Sequence, residues 1–93
     1  MRISEHAHKR YMERFGGINS LKSVQKRENT MRKVCAFGVK LKPLKLMMKL
    51  LNNDCQLADY YLYRNIVAVV ANDTILTVYK YNPDNWERLK KED

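Results

Sequence analysis

The sequence predicts an α+β domain in which N-terminal helices pack on a small antiparallel β-meander. Amphipathic segments with helix-capping residues fill the first half of the chain, and three runs rich in β-branched and aromatic residues follow. The links between these runs are about two residues long, which is typical of antiparallel hairpins. Helices followed by such strands indicate the α+β class. We expect residues 1–93 to form a single domain with a charged tail over 84–93.

Three helices are predicted. The first runs from a Ser4 cap to Phe15, before two glycines, and the second runs from an Asn19 or Ser20 cap to a C-terminal Gly38. Pro43 suits the first turn of a third helix. The predicted inward residues are Ile3, Ala7, Tyr11 and Phe15 in the first helix, Leu21, Val24, Met31 and Cys35 in the second, and Leu44, Met47, Met48 and Leu51 in the third. Asn52-Asn53-Asp54 ends the third helix.

The strands are predicted over 57–63, 66–71 and 74–81. The middle run is apolar on both faces, so we expect it to be the central strand, covered by helices on at least one side. Asn and Asp in the links tolerate the positive φ that tight hairpin turns require. Pro83 ends the last strand, and Trp86 is a candidate to fold back onto the sheet.

The net charge of +8 is concentrated in one half of the chain. Residues 1–50 carry thirteen Lys and Arg against three Glu, whereas residues 51–93 carry five against seven acidic residues. This asymmetry favours a polyanionic partner, most simply RNA or DNA. The alternative is a solvated basic surface that keeps a small protein soluble.

The two cysteines, Cys35 and Cys55, do not make a disulfide framework. The chain starts without the apolar run of a signal peptide, and no segment approaches the roughly 20 apolar residues that cross a bilayer. We therefore expect a cytoplasmic protein with free thiols and no membrane partner.

The first helix carries the residues best suited to chemistry. His6 and Arg10 are one turn apart, and Glu13 and Arg14 complete a polar edge beside the apolar stripe. A histidine there can act as acid or base near neutral pH, and arginines can hold a phosphate. Alternatively, these are ordinary surface charges that pair along a helix.

The candidate nucleic-acid contacts are basic helix residues and strand tyrosines, and each has an alternative as a solvated or packed side chain. They are Lys9, Lys22, Lys26, Arg27, Arg32, Lys33, Tyr79 and Tyr81. His6 and His8 point to different helix faces, so we expect no metal site. No cofactor is expected either. Glycine-rich phosphate loops and nucleophile elbows do not occur in the sequence, so it gives no support to the NTPase and hydrolase classes.

The opening Ile3-Ser4-x-His6-Ala7-x-x-Arg10-x-x-Glu13-Arg14-x-Gly16 resembles that of small phage and prophage proteins, which begin Ile-Thr/Ser-x-His-Ala-x-x-Arg-x-x-Glu-Arg. In these proteins a helix ends in an Ala-x-x-x-Gly-like stretch, and Cys35–Gly38 occupies that place in this sequence. They close with a strand like Asp73–Tyr79 that is followed by a proline, here Pro83. Their layout is similar to the fold of barnase, EndoU and RelE-type toxins.

This resemblance implies metal-independent RNA cleavage, with His6 as acid or base and Arg10 as the phosphate clamp. Glu13 and Arg14 match the second half of the motif, and Tyr79 or Tyr81 would stand near the sheet residues of RelE-like enzymes. The chain departs from the pattern in a basic, insertion-like linker over 40–43 and in a central strand without polar side chains.

The leading hypothesis is therefore a phage- or mobile-element-type RNA-interacting protein. Its candidate activity is that of a metal-independent endoribonuclease toxin, and an antitoxin is a further candidate partner. The alternative is a non-catalytic phage accessory protein that blocks a host defence protein through its basic face.

Overall fold

The computed structural model describes residues 1–18, 20–50 and 58–89. The elements, in chain order, are β1 (Arg2–Ile3), α1 (Glu5–Phe15), α2 (Leu21–Phe37), β2 (Val39–Pro43), α3 (Lys45–Leu50), β3 (Asp59–Tyr63), β4 (Ile66–Ala71), β5 (Thr74–Lys80) and β6 (Trp86–Arg88). The predicted α+β class is confirmed, because the two long helices precede most of the sheet.

The sheet has six strands in the order β1-β5-β4-β3-β2-β6. The predicted meander is its centre, since β3, β4 and β5 pair antiparallel in sequence order. The sheet as a whole is mixed, because β1 runs parallel to β5. The sheet has three strands more than the three predicted, since β1 lies at one edge and β2 and β6 extend the other edge.

Strand β4 is central and separates two apolar clusters. On one face, Ile66, Ala68 and Val70 pack with Ala7 of α1 and with Met31 of α2. The opposite face is formed by buried residues of five elements, namely Leu41, Met47, Tyr60, Leu62, Val67, Val69 and Trp86. The expectation that helices cover this strand is confirmed, and burial on both faces explains its continuous apolar run.

The cap of α1 also fastens the helix to the sheet. The Ser4 hydroxyl accepts a hydrogen bond from the Ala7 N–H at 3.0 Å and donates to the Leu76 carbonyl of β5 at 2.9 Å. Gly16 ends the helix at a φ of 84°, a conformation in which glycine avoids the Cβ penalty. The predicted bounds of α1 are thus confirmed, and Ser20 caps α2. Asn19 and Cys55 lie outside the described residues.

The basic linker predicted over 40–43 is a strand. In β2, Leu41 faces the core while Lys40 and Lys42 are exposed, which is the period-two alternation of a half-buried strand. Pro43 is the last residue of β2, opposite Trp86, rather than the first turn of a helix. Helix α3 begins two residues later, at Lys45. Its predicted end at 52–54 lies outside the described residues, as does Leu51.

Two residues predicted to face inward are exposed. Leu21 is 76% exposed because it opens α2 beyond the part of the helix that covers the sheet, and Met48 is 44% exposed next to the buried Met47. Trp86, by contrast, is 3% exposed and packs its ring against Tyr60, with ring centroids 5.2 Å apart. Strand β6 therefore lies within the segment predicted as a charged tail.

Gly38 joins α2 to β2 for a reason other than the predicted one. Its backbone is extended, with φ −74° and ψ 156°, so the left-handed conformation typical of a glycine helix end is not used. A Cβ at this position would overlap the Val34 carbonyl oxygen and lie 2.9 Å from the Leu62 carbonyl oxygen. Close backbone approach therefore requires this glycine.

Candidate nucleic-acid interface

Three of the four residues predicted to form a catalytic edge contact one another on the solvent side of α1. Arg10 Nε donates to His6 Nε2 at 3.4 Å, and Arg10 Nη1 donates to Glu13 Oε2 at 2.8 Å. The hydrogen bond from Arg10 is the main cause of a lowered pKa at Glu13. The guanidinium thus bridges an imidazole and a carboxylate that remains ionised.

The direction of these bonds sets the tautomer of His6. Because Arg10 donates to Nε2, that nitrogen is an acceptor, and the neutral ring carries its proton on Nδ1. His6 itself is exposed, and the side chains of Arg10 and Glu13 are 37% and 43% exposed. This edge is therefore open to solvent, and Arg10 occupies the acceptor position of His6 Nε2.

Arg14, the fourth predicted residue, faces β5 instead. Its Nη1 donates to the Val78 carbonyl at 2.7 Å, and its guanidinium carbon lies 4.8 Å from the centre of the Tyr79 ring. Strand β1 pairs only with Thr74 and Ile75, so the Val78 carbonyl lies beyond its reach along β5. Arg14 thus joins α1 to the part of the strand that β1 leaves open.

The structure also contains a histidine–arginine pair that sequence reasoning missed. Arg27 is 4% exposed, its Nε donates to His8 Nδ1 at 2.9 Å, and its Nη1 donates to the Ile18 carbonyl at 3.4 Å. Burial lowers the pKa of His8, and the charge of Arg27 lowers it further. Arg27 therefore does not belong to a solvated row on α2, and its contact with a nucleic acid stays a prediction. Arg27 lies one helical turn before Met31 and two turns before Val34, and this spacing is the sequence signal that its side chain faces inward.

The remaining predicted contacts lie on two sides of the molecule. Lys9, Lys22, Lys26 and Lys33 are exposed on α1 and α2, and Arg32 pairs with Glu28 at 3.3 Å. The two tyrosines pack with the apolar cluster on the sheet face opposite these helices. The Tyr79 ring lies 6.2 Å from that of Trp86, and the Tyr81 ring lies 6.0 Å from the Arg88 guanidinium. Packing, the alternative for both tyrosines, is what the structure shows, and they do not adjoin the lysines.

Comparison of the chain with known protein families, curated proteins and solved structures gave no match. Among the described residues, no helix has both the length and the apolar character required to cross a bilayer.

Acidification is expected to weaken the fold through His8. Because the folded pKa lies below the ordinary value of 6.5, the unfolded chain takes up a proton first as the pH falls. The contribution of neutral His8 to stability is complete above pH 6.5 and is lost as the pH falls through the lower folded pKa. Protonation would also place a donor against the Arg27 donor.

Thermal unfolding from pH 7.5 down to pH 5, a range chosen to span histidine titration, would measure this effect. His8→Gln should flatten the decline of Tm with acid, whereas the matched variant His6→Gln, on the exposed side of the same helix, should retain it. A decline that is unchanged in His8→Gln would show that other groups cause it.

Proposed function

We propose that the protein binds RNA through the solvent-facing side of α1 and α2, as a phage- or mobile-element-type RNA-interacting protein of the cytoplasm. The observation that carries the proposal is the uncompensated positive charge of this helical layer. Lys9, Lys22, Lys26 and Lys33 are exposed, and in the described part of the chain none of them has a carboxylate within ion-pair distance.

The carboxylates of the same two helices are few and mostly occupied. Glu13 pairs with Arg10 at 2.8 Å and Glu28 pairs with Arg32 at 3.3 Å, so two of the three acidic residues of α1 and α2 already neutralise arginines. Exposed lysines without partners contribute to a positive potential that concentrates polyanions. Counterion release on phosphate binding then provides affinity without base recognition.

The lysines of α2 lie along one side of the helix. Lys22 and Lys26 are one turn apart, and Lys33 is two turns beyond Lys26, so all three fall on a common stripe. A helix rises about 1.5 Å per residue, which places the outer two about 16 Å apart. We expect this stripe to follow a stretch of RNA backbone and to tolerate many sequences.

Fluorescence anisotropy with a labelled single-stranded RNA at several salt concentrations would test the proposal. The triple variant Lys22→Gln, Lys26→Gln, Lys33→Gln should lower the slope of log affinity against log salt by about three, one for each lost phosphate contact. The matched control, Lys42→Gln, Lys45→Gln, Lys49→Gln, removes the same charge from exposed lysines of β2 and α3.

An equal loss of slope in both triple variants would show that net charge, rather than the helical layer, attracts the RNA. Failure of the native protein to bind any RNA at about 50 mM salt, where phosphate contacts contribute strongly, would overturn the proposal. That result would favour the alternative in which the basic face covers an acidic host protein.

The contacts of His6, Arg10 and Glu13 support a second proposal, metal-independent RNA cleavage at this edge. In this reaction Arg10 turns from His6 to the phosphate, which frees the lone pair of His6 Nε2. His6 Nε2 then takes the proton of a ribose 2′-hydroxyl, and the 2′-oxygen forms a bond to phosphorus. The bond from phosphorus to the 5′-oxygen breaks, and that oxygen takes a proton from solvent. The products are a 2′,3′-cyclic phosphate and a 5′-hydroxyl, while Arg10 stabilises the charged phosphorane.

A further inference from the structure

A cleft of about 280 Å³ lies between α1 and α2, on the opposite flank of α1 from His6 and Arg10. Tyr11 and Phe15 line the cleft from α1, and Gly16 and Gly17 line it from the segment that links the two helices. Helix α2 contributes residues between Ser23 and Thr30. This volume is just below about 300 Å³, the lower end of the range of volumes typical of small-molecule pockets. It suits a ligand no larger than one nucleotide.

A buried cation lines this cleft. Arg27 is 4% exposed, and its two hydrogen-bond acceptors, His8 Nδ1 and the Ile18 carbonyl, are both uncharged at neutral pH. No carboxylate among the described residues lies within ion-pair distance of it. A buried charge without a counterion is unfavourable, so an anion bound in the cleft would compensate it.

Two of the three nitrogens of the Arg27 guanidinium hydrogen-bond to described residues. In the described part of the chain, every side-chain nitrogen or oxygen that is sealed from solvent has a hydrogen-bond partner. Nη2 donates to none of the described residues, and Arg27 lines the cleft. Lys26 and Thr30 line the same cleft, one residue before and three after Arg27, and supply a second charge and a hydroxyl.

The opposite wall is aromatic. The Tyr11 and Phe15 rings lie 5.1 Å apart between centroids and are tilted by 43°. Aromatic faces beside cations are the combination that binds a nucleotide, since a base stacks on the ring while the phosphate meets the charges. An inorganic anion alone would leave this apolar wall unused.

We propose that the cleft between α1 and α2 binds a single phosphorylated nucleotide, with the phosphate on Arg27 and Lys26 and the base against Tyr11 and Phe15. The nucleotide is either a free nucleoside monophosphate or the phosphorylated end of an RNA strand. The second source rests on the proposed RNA binding, whereas the first does not.

The three glycines of the chain provide a direct readout. Gly16 and Gly17 line the cleft, while Gly38 lies at the far end of α2 and serves as an internal control. In an NMR titration with uridine monophosphate, the amide signals of Gly16 and Gly17 should shift and that of Gly38 should stay in place. Uridine and inorganic phosphate should each bind at least about tenfold more weakly than uridine monophosphate. Uridine lacks the phosphate that contacts the cations, and inorganic phosphate lacks the base that stacks on the rings.

Two variants test the assignment of the phosphate. Arg27→Gln should weaken binding of uridine monophosphate about 10- to 100-fold, as expected for a lost charge-assisted hydrogen bond. Because Arg27 is buried and this variant can unfold, Lys26→Gln provides a second measurement at an exposed position, with an expected loss of about two- to fivefold. Lys45→Gln, at an exposed position of α3 away from the cleft, should bind as the native protein does.

The outcomes separate this inference from the proposed function. Tighter binding of a 5′-phosphorylated RNA than of its unphosphorylated form, lost in Lys26→Gln but retained in Lys45→Gln, would identify the strand end as the ligand. Binding of uridine monophosphate without RNA binding would support the cleft and overturn the proposed function. If neither uridine monophosphate nor phosphate shifts Gly16 and Gly17, the cleft proposal fails, even where the helical layer still binds RNA.

Discussion

His6→Ala is expected to lower the rate of the proposed RNA cleavage by about 10²- to 10⁴-fold, the contribution that a general acid or base typically makes. The imidazole is exposed, and within the described residues its only hydrogen bond comes from Arg10, so its removal should leave the fold intact. The measurement is the appearance of a 2′,3′-cyclic phosphate end on single-stranded RNA, in EDTA, with and without ribosomes.

Arg10→Lys is the companion variant. A lysine retains the charge but lacks the planar fork that reaches His6 and Glu13 together, so cleavage should also fall. Lys45→Gln, at an exposed position of α3, is the control for a change of surface charge. Absence of cleavage by the native protein would refute the nuclease proposal, and full activity in His6→Ala would refute the role of this histidine.

Gly38→Ala is expected to destabilise the protein by about 1–3 kcal/mol or more, the usual cost of forcing extra volume into a packed site. The new methyl group would overlap the Val34 carbonyl oxygen and crowd the Leu62 carbonyl, both of which are backbone atoms and cannot rotate away. Chemical denaturation of native and variant protein would measure the difference. The joint between α2 and β2 must open to relieve the overlap.

Gly16→Ala separates the two reasons for keeping a glycine. Its Cβ would meet no atom within 4 Å, but its φ of 84° strains any residue with a side chain. We expect a loss of about 1 kcal/mol there, from conformation alone. If Gly38→Ala were no more harmful than Gly16→Ala, the close backbone approach at Gly38 would not be the constraint that we describe.

Local patterns predicted the elements whose signals are complete within a few residues. The Ser4 cap, the glycine end of α1 and the three central strands all follow from neighbouring side chains. Strands β1 and β6 were missed because two or three residues carry no period, and their pairing depends on partners far away in the sequence. In β2, Pro43 favoured a helix start locally, but pairing with β3 and β6 decided its structure.

The candidate site divides in the same way. Helical spacing predicted that His6, Arg10 and Glu13 would be neighbours, because the three lie within two turns of one helix. The same reasoning does not reveal that Arg14 reaches the Val78 carbonyl, since that contact joins residues 64 positions apart. His8 and Arg27 meet only because α1 and α2 pack side by side, so their pairing is a tertiary property.

The edge positions of β1 and β6 have a consequence for engineering this chain. Five strand spacings of about 4.8 Å separate them, so they lie about 24 Å apart across the sheet. An extended chain spans at most about 3.3–3.6 Å per residue, so a linker that joins the two strands head to tail needs at least about seven residues. A circular permutant with a shorter linker would have to detach one of these strands and expose the hydrogen-bonding groups of its neighbour.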